Sequence, residues 1–224
     1  VARHQQGQPL SLPLHVADAF RAVLLDEGRD PALTALILTL PSENEIAELF
    51  DTIDPQAIAA VREALVRTLA EELTDELLAV YRANQNAEYR IEHADIGQRA
   101  LKNVCLSYLA FGDAAAADKL VSDQYHHANN MTDSIAALAA SVAAQLPCRT
   151  ELLAAVDERW PHDGLGMDKW FALQATSTAE AVLTQGRALL NHSVITLGNP
   201  HRARSLVGAL AAANPSAGPA QGGI

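Results

Sequence analysis

A long amphipathic run between Asp54 and Asn84 constrains the fold of this chain more than any other feature. Asp54 offers a side-chain oxygen as an N-cap, and Pro55 suits the first helical position, where an N–H group has no intrahelical partner. Glu63 and Arg67 stand four residues apart on the polar face. Apolar residues recur at steps of three and four: Ile58, Val61, Leu65, Leu69, Leu73, Leu77 and Tyr81. The pattern predicts one helix on the order of 45 Å long, with shorter helices packed along it.

Signals for further helices recur on both sides of this run. The Gln- and Pro-rich residues 1–13 lack them and are predicted to be extended. The helix that follows residues 129–131 is predicted to run as far as Pro147. The predicted helix starts are Asp30 with Pro31, the capping box of Ser42 and Glu45, Asp113, and either Thr132 or Asp133.

The composition supports an entirely helical chain. Hydrophobic residues make up 49% of the sequence and aromatic residues only 4%, which favours closely packed helices over β-sheets. Short turns between successive helices imply antiparallel neighbours. We therefore predict an all-α fold, a superhelical stack of antiparallel helix hairpins resembling the α-solenoids of HEAT and armadillo repeats. The predicted domain covers residues 1–213, and residues 214–224 are predicted to form a flexible tail.

The charge balance argues against binding to nucleic acid or to an anionic membrane. The formal net charge is −11 and lysine occurs at only three positions, whereas phosphate surfaces require clustered basic residues. Cys105 and Cys148 are too few for a disulfide scaffold, and we interpret them as buried free thiols in a reducing compartment. No stretch of 18 uncharged apolar residues exists. The first residue is Val1 rather than Met, so we expect a piece of a longer polypeptide.

Motifs for a complete active site are absent from the sequence. It contains no H-E-x-x-H, no G-x-S-x-G, no Walker loop and no dinucleotide fingerprint. Asp123, His126 and His127 come nearest to a metal-ligand set, but Asp123 and His127 on one face are only two ligands, and a helix-end role is favoured. Residues 129–133 are interpreted as a loop that caps a helix, and residues 168–171 as a helix with two core aromatic residues.

Two arginines follow the helix start at Asn199 and Pro200. Arg202 and Arg204 stand two residues apart, so on a helix they point to different faces. Cations near a helix N-terminus are disfavoured by the helix dipole by about 0.3 to 1 kcal/mol each. An unfavourable charge at this position is typical of a binding residue, although two solvated arginines without a binding role explain the sequence nearly as well.

Several stretches together resemble the C-terminal helical domain of bacterial aminopeptidase N, a family of gluzincin zinc metallopeptidases. The match covers nearly the whole chain. Its segments are ARHQQGQPLSLP at residues 2–13, HVADAFR at 15–21, LPSENE at 40–45, ANNMTD at 128–133, MDKWF at 167–171 and NPHRARSL at 199–206.

The resemblance implies that the chain belongs to a cytoplasmic enzyme that releases N-terminal residues from short peptides and carries its zinc in a separate catalytic domain. The helical domain would close over that catalytic domain of the same chain and would have no catalytic or metal-binding residues of its own. Arg204 matches a family arginine that contacts the C-terminal side of a bound peptide, and Arg202 is its neighbouring candidate. The tail after residue 213 departs from the family pattern, so we expect a truncated domain. The alternative is a stand-alone helical-repeat scaffold that binds a partner protein on its concave face.

Overall fold

A computed structural model describes residues 1–159 of the chain. Every regular element within these residues is an α-helix. The chain divides into two compact units, residues 1–140 and 141–224. The predicted domain limit at residue 213, the tail 214–224 and the helices predicted beyond residue 159 lie outside the described residues. The helices of residues 1–159 are α1 (Ala2–Gln5), α2 (Leu14–Leu24), α3 (Pro31–Leu38), α4 (Glu43–Ala47), α5 (Pro55–Glu72), α6 (Thr74–Ala83), α7 (His93–Leu109), α8 (Ala114–His127), α9 (Met131–Ala143) and α10 (Arg149–Arg159).

Four helix starts are set by local capping, as the sequence predicts. The side chains of Asp30, Asp54 and Asp113 each accept a hydrogen bond from the backbone N–H three residues ahead, at 2.9 to 3.0 Å. Ser42 and Glu45 form the predicted capping box in both directions. These bonds satisfy N–H groups that a helix start otherwise leaves without partners.

The run from Asp54 to Asn84 is two helices, so the prediction of one continuous helix is wrong. α5 ends and α6 begins on either side of Leu73, whose φ of −118° departs from helical geometry. The hydroxyl group of Thr74 donates to the carbonyl oxygen of Ala70 at 2.6 Å. A hydroxyl that bonds back to the preceding turn competes with the backbone and bends helices. The apolar stripe nevertheless continues through the break, since Leu69, Leu73 and Leu77 are all buried.

Arg21 of α2 holds the break between α5 and α6. Its guanidinium group donates to the carbonyl oxygen of Glu72 at 3.2 Å and to the carboxylate of Glu76 at 2.8 Å. The Glu72 carbonyl lies in the last turn of α5, where helix geometry leaves carbonyls without intrahelical donors. The hydrogen bond from Arg21 also lowers the pKa of Glu76. A side chain more than 50 residues away thus satisfies the interrupted helix end.

Two other boundaries differ from the sequence predictions. The N-terminal segment is not wholly extended, because α1 forms there, and Gly7 follows it with φ of +67°. A hydrogen bond from Gln5 to Asp54, at 3.0 Å, links α1 to the start of α5. α9 ends at Ala143 rather than running to Pro147. Gln145 adopts φ of +53°, and the bonds from Leu146 N to Ser141 O and from Gln145 N to Val142 O form a Schellman motif.

The core of residues 1–140 is built around the junction of α5 and α6. Leu69 is 0% exposed and lies beside a void of about 10 Å³. Tyr108 of α7 reaches the same region and donates a buried hydrogen bond to the carbonyl oxygen of Leu38. Ile96 of α7, by contrast, is 49% exposed. The void is lined by Phe20, Leu24, Leu38, Leu69, Leu73, Leu77 and Tyr108.

Leu69→Ala should therefore lower the free energy of unfolding by about 2 to 5 kcal/mol, because truncation leaves a cavity in a fully buried site. Chemical denaturation of both proteins measures the difference. Leu49→Ala is the matched control, since Leu49 is 80% exposed and its truncation should change stability by less than about 0.5 kcal/mol. Equal effects at the two positions would show that the core is wrongly placed.

Candidate functional site

The two arginines predicted to bind substrate, Arg202 and Arg204, lie outside the described residues, as do residues 168–171. Their roles remain predictions from the sequence. The other candidate residues can be placed within residues 1–159.

Asp123, His126 and His127 occupy the last turns of α8. The Asp123 carboxylate accepts a hydrogen bond from Lys119 Nζ at 2.5 Å, which lowers its pKa. His127 Nδ1 lies 2.8 Å from the carbonyl oxygen of Asp123, and His126 makes an edge contact with the ring of Tyr125. These contacts agree with a helix-end role, in which histidines near a C-terminus meet the negative end of the dipole. Among the residues that the structure describes, no three His, Cys, Asp or Glu side chains are placed to hold a metal ion.

The start of α9 carries the best-built polar site in the described part of the chain. The predicted caps, Thr132 or Asp133, are wrong: Asn130 is the cap, and its side-chain oxygen accepts from the Asp133 backbone N–H at 2.9 Å. The Asp133 side chain is therefore available for tertiary contacts, and Lys102 Nζ of α7 lies 2.6 Å from its Oδ2 atom. Both side chains are buried, at 5% and 7% exposure for Lys102 and Asp133.

Four more side chains complete this arrangement, here called the Asp133 cluster. Asn103 donates to Asp133 Oδ1 at 2.9 Å, and Asn130 donates to Asp133 Oδ2 at 2.9 Å. Gln124 donates to Asn103 at 2.9 Å and to the Asp133 carbonyl at 3.0 Å. It accepts from the hydroxyl of Tyr81 at 2.9 Å. The Asp133 cluster consists of Tyr81, Lys102, Asn103, Gln124, Asn130 and Asp133, and joins α6, α7, α8 and α9.

The hydrogen bonds of the cluster keep Asp133 ionised. Burial acts to raise the pKa of Asp133, but hydrogen bonds from Lys102, Asn130 and Asn103 outweigh it, and the pKa lies below the usual value. A buried charge pair is tolerated only when its remaining donors and acceptors are also satisfied. Because the donors and acceptors bond to one another, the arrangement fixes four helices together rather than holding a reactive group ready for substrate.

Sequence reasoning identified one part of this cluster and missed the rest. It recognised residues 129–133 as a capping loop but not the tertiary role of Asp133. Lys102 was the available signal, as one of three lysines in the chain and a charged residue between the apolar Leu101 and Val104 of α7. Lysine is almost never fully buried without a partner, so its position on the apolar face implied a carboxylate opposite.

The two cysteines are buried free thiols, as predicted. Burial raises the pKa of Cys105 to about 12, so its thiol stays protonated and unreactive at neutral pH. Cys105 therefore does not resemble a catalytic nucleophile, which needs a thiolate.

Two open grooves lie on the surface of residues 1–140. One, of about 330 Å³, runs between α6 and α8, with Leu78 and Leu120 in its lining and Arg82 and Asp123 among its polar groups. The other, of about 370 Å³, lies between the N-terminal segment and α5. Among the described residues that line them there is no cysteine and no histidine. In the described part of the chain, no helix is both long and apolar enough to cross a membrane.

Comparison with known proteins identifies the fold and the family. A family model described as "Domain of unknown function (DUF3458_C) ARM repeats" matches residues 1–223. The chain belongs to the DUF3458_C family. Its ARM-repeat description, together with the all-helical structure of residues 1–159, confirms the predicted fold class of an all-α solenoid. The crystal structure of Legionella pneumophila aminopeptidase A in complex with aspartic acid has a TM-score of 0.81, covering 93% of this chain and 26% of that chain. At 24% sequence identity, this likeness shows the fold alone.

The curated relatives of this DUF3458_C domain confirm the resemblance to aminopeptidase N. Aminopeptidase N of Escherichia coli is 66% identical over 223 residues, covering 100% of this chain and 26% of that protein. Aminopeptidase N of Haemophilus influenzae is 44% identical, covering 94% of this chain and 24% of that protein. The chain therefore spans about a quarter of the length of the relatives it matches.

The Asp133 cluster generates a stability prediction. Asp133→Asn should destabilise the protein by about 3 to 5 kcal/mol, because it leaves the buried Lys102 ammonium group without its counter-charge. Asp123→Asn is the matched control, since it breaks an exposed Lys–Asp pair and should leave the unfolding midpoint nearly unchanged. Urea unfolding measures both variants, and a small effect at Asp133 would mean that water already solvates the pair.

The lowered pKa of Asp133 also predicts how stability changes with pH. The pKa of an aspartate in the unfolded chain is about 3.9. Above that pH the folded carboxylate therefore contributes its full stability. The contribution is lost as the pH falls through the lower folded pKa. The wild-type protein should therefore lose stability more steeply than Asp133→Asn below about pH 4. Unfolding curves recorded at steps through this range test the difference, and parallel slopes would contradict it.

Proposed function

We propose that this chain is the C-terminal helical domain of a zinc aminopeptidase that releases N-terminal residues from peptides. The observation that carries the proposal is the 66% identity with Escherichia coli aminopeptidase N over 223 residues. Identity at this level over the full length supports a shared role within a shared parent enzyme. The proposed location is the cytoplasm, to which the buried free thiols are suited.

Within the parent, the proposed role of the domain is to enclose the substrate cavity as a non-catalytic cap. The sequence contains no H-E-x-x-H motif, so the zinc and its ligands would belong to the catalytic domain of the same chain. The rival role is a stand-alone helical-repeat scaffold. The matched relatives carry this domain in chains about four times as long, which favours a domain of a larger enzyme.

Arg204 and Arg202 are the proposed contacts to peptide. A guanidinium group offers a planar fork of donors that matches the two oxygens of a peptide carboxylate. Arg204 is the stronger candidate, because it matches a family arginine in the stretch NPHRARSL at residues 199–206. A contact to the C-terminal carboxylate would bind short peptides without touching the bond that is cleaved.

The first experiment separates the catalytic parent from its cap. The 224-residue chain should bind no stoichiometric zinc and should not hydrolyse aminoacyl chromogenic substrates, whereas the full-length parent should do both. Metal analysis and a peptidase assay on the two proteins measure this. One equivalent of zinc in the chain, with activity that survives repurification, would overturn the proposal. A parent reading frame without H-E-x-x-H would favour the scaffold.

The second experiment tests Arg204 in the full-length parent. Arg204→Ala should raise KM for dipeptides and tripeptides more than it lowers kcat, because the contact is equal in the ground and transition states. A charge-assisted bond of about 1.5 to 3 kcal/mol sets the upper range at roughly ten- to a hundred-fold.

Amidated peptides are the control for this experiment, since they lack the carboxylate and should lose little. Equal losses on free-acid and amidated peptides would point to a disrupted helix start. A loss confined to kcat would assign Arg204 a different role.

A further inference from the structure

The helix α3 is apolar on two opposite sides. Its sequence is PALTALIL, and Thr34, Ala35 and Leu38 are buried. On the other side, Leu33, Leu36 and Ile37 are 47%, 71% and 43% exposed. These three positions follow the i, i+3, i+4 spacing that places residues on one helix face. A helix that is apolar all round is normally buried on all sides.

The inner side of α3 is already closely packed. α3 lies against α7 and α2. A Cβ atom built at Gly97 of α7 would lie 3.1 Å from the backbone nitrogen of Ala32, so the two helices meet almost backbone to backbone. The outer side of Leu33, Leu36 and Ile37 therefore does not become buried by a small adjustment of α3 within this unit.

Exposed apolar side chains are concentrated in the stretch of sequence that contains this helix. Among the residues whose burial the structure describes, eleven large hydrophobic residues are exposed. Six of these lie between positions 33 and 53, and none lies between positions 54 and 88. Single exposed leucines are ordinary on a protein surface, but apolar side chains grouped on one helix face, as Leu33, Leu36 and Ile37 are, mark an interaction site. The six residues are Leu33, Leu36, Ile37, Leu49, Phe50 and Ile53.

We propose that the outer face of α3, formed by Leu33, Leu36 and Ile37, packs against the part of the parent enzyme outside residues 1–224. This inference rests on the proposed function, in which the chain is one domain of a longer peptidase. The matched relatives have about three quarters of their length outside the region that this chain covers. A tethered partner has a high effective concentration and needs no separate association.

A second copy of the chain is a poorer occupant for the same face. Each copy carries a formal net charge of −11, so two copies repel each other. A second copy also loses translational and rotational freedom on association, which a domain of the same polypeptide does not. The apolar outer face of α3 therefore fits an apolar surface of the parent better than it fits itself.

The test is the rate of maleimide labelling of Leu36→Cys in two proteins, the 224-residue chain and the full-length parent. The natural thiols do not interfere strongly, since Cys105 and Cys148 are buried. Ala115→Cys on the exposed side of α8 is the matched control that normalises reactivity between the two proteins. Labelling at Leu36→Cys should be at least roughly tenfold slower in the parent, where reaction requires the interface to open.

Equal normalised rates in the chain and the parent would overturn the inference. Slow labelling in the isolated chain, with a sedimenting dimer that Leu36→Asp dissociates, would assign the face to a second copy and would also overturn it. The peptidase assay on the same parent preparation tests the proposed function separately. An active parent with a freely labelled Leu36→Cys would retain the proposed function and reject the docking face.

Discussion

The position of α7 between two other helices is the constraint on which the first unit depends. α3 packs on α7 where Gly97 lacks a side chain, and α6 also packs on α7. α7 has to be apolar on several faces to satisfy both neighbours, and Leu101, Cys105 and Leu106 are buried accordingly. Arg99 and Lys102 are buried charged residues on this helix, and the charge of Lys102 explains why the start of α9 must deliver a carboxylate. Packing around α7 therefore determines where the polar interior lies.

The sequence alone predicted the local helix caps, whereas it did not predict the tertiary contacts. The caps at Asp30, Asp54 and Asp113 are hydrogen bonds between residues three positions apart, so both partners can be recognised in the sequence. The break at Leu73 is different, since Arg21 meets the carbonyl of Glu72 only in the folded chain. Apolar residues that recur without interruption at steps of three and four are compatible with one continuous helix and also with two helices separated by a break.

The candidate site divides in the same way between pattern and structure. Asp123 and His127 share a helix face in the sequence and in the structure, but Lys119 pairs with the carboxylate and the histidine faces a backbone carbonyl. Spacing could identify neighbours without revealing which partner each would take. The prediction that Arg204 contacts a bound peptide came from the family resemblance. It is chemically reasonable, because a guanidinium group is suited to binding a carboxylate.

The distribution of polarity is unusual for an independent unit and suits a domain of a larger enzyme. An ion pair and the polar side chains of Tyr81 and Gln124 are buried between helices, while leucines on α3 face solvent. Burying those leucines would be worth about 25 cal/mol for each Å² removed from water, so leaving them exposed forgoes stability that the sequence could supply. The net charge of −11 helps to keep such a surface in solution. An apolar outer face on a closely packed helix contributes to stability only where another surface covers it. The remainder of a longer polypeptide can supply that surface.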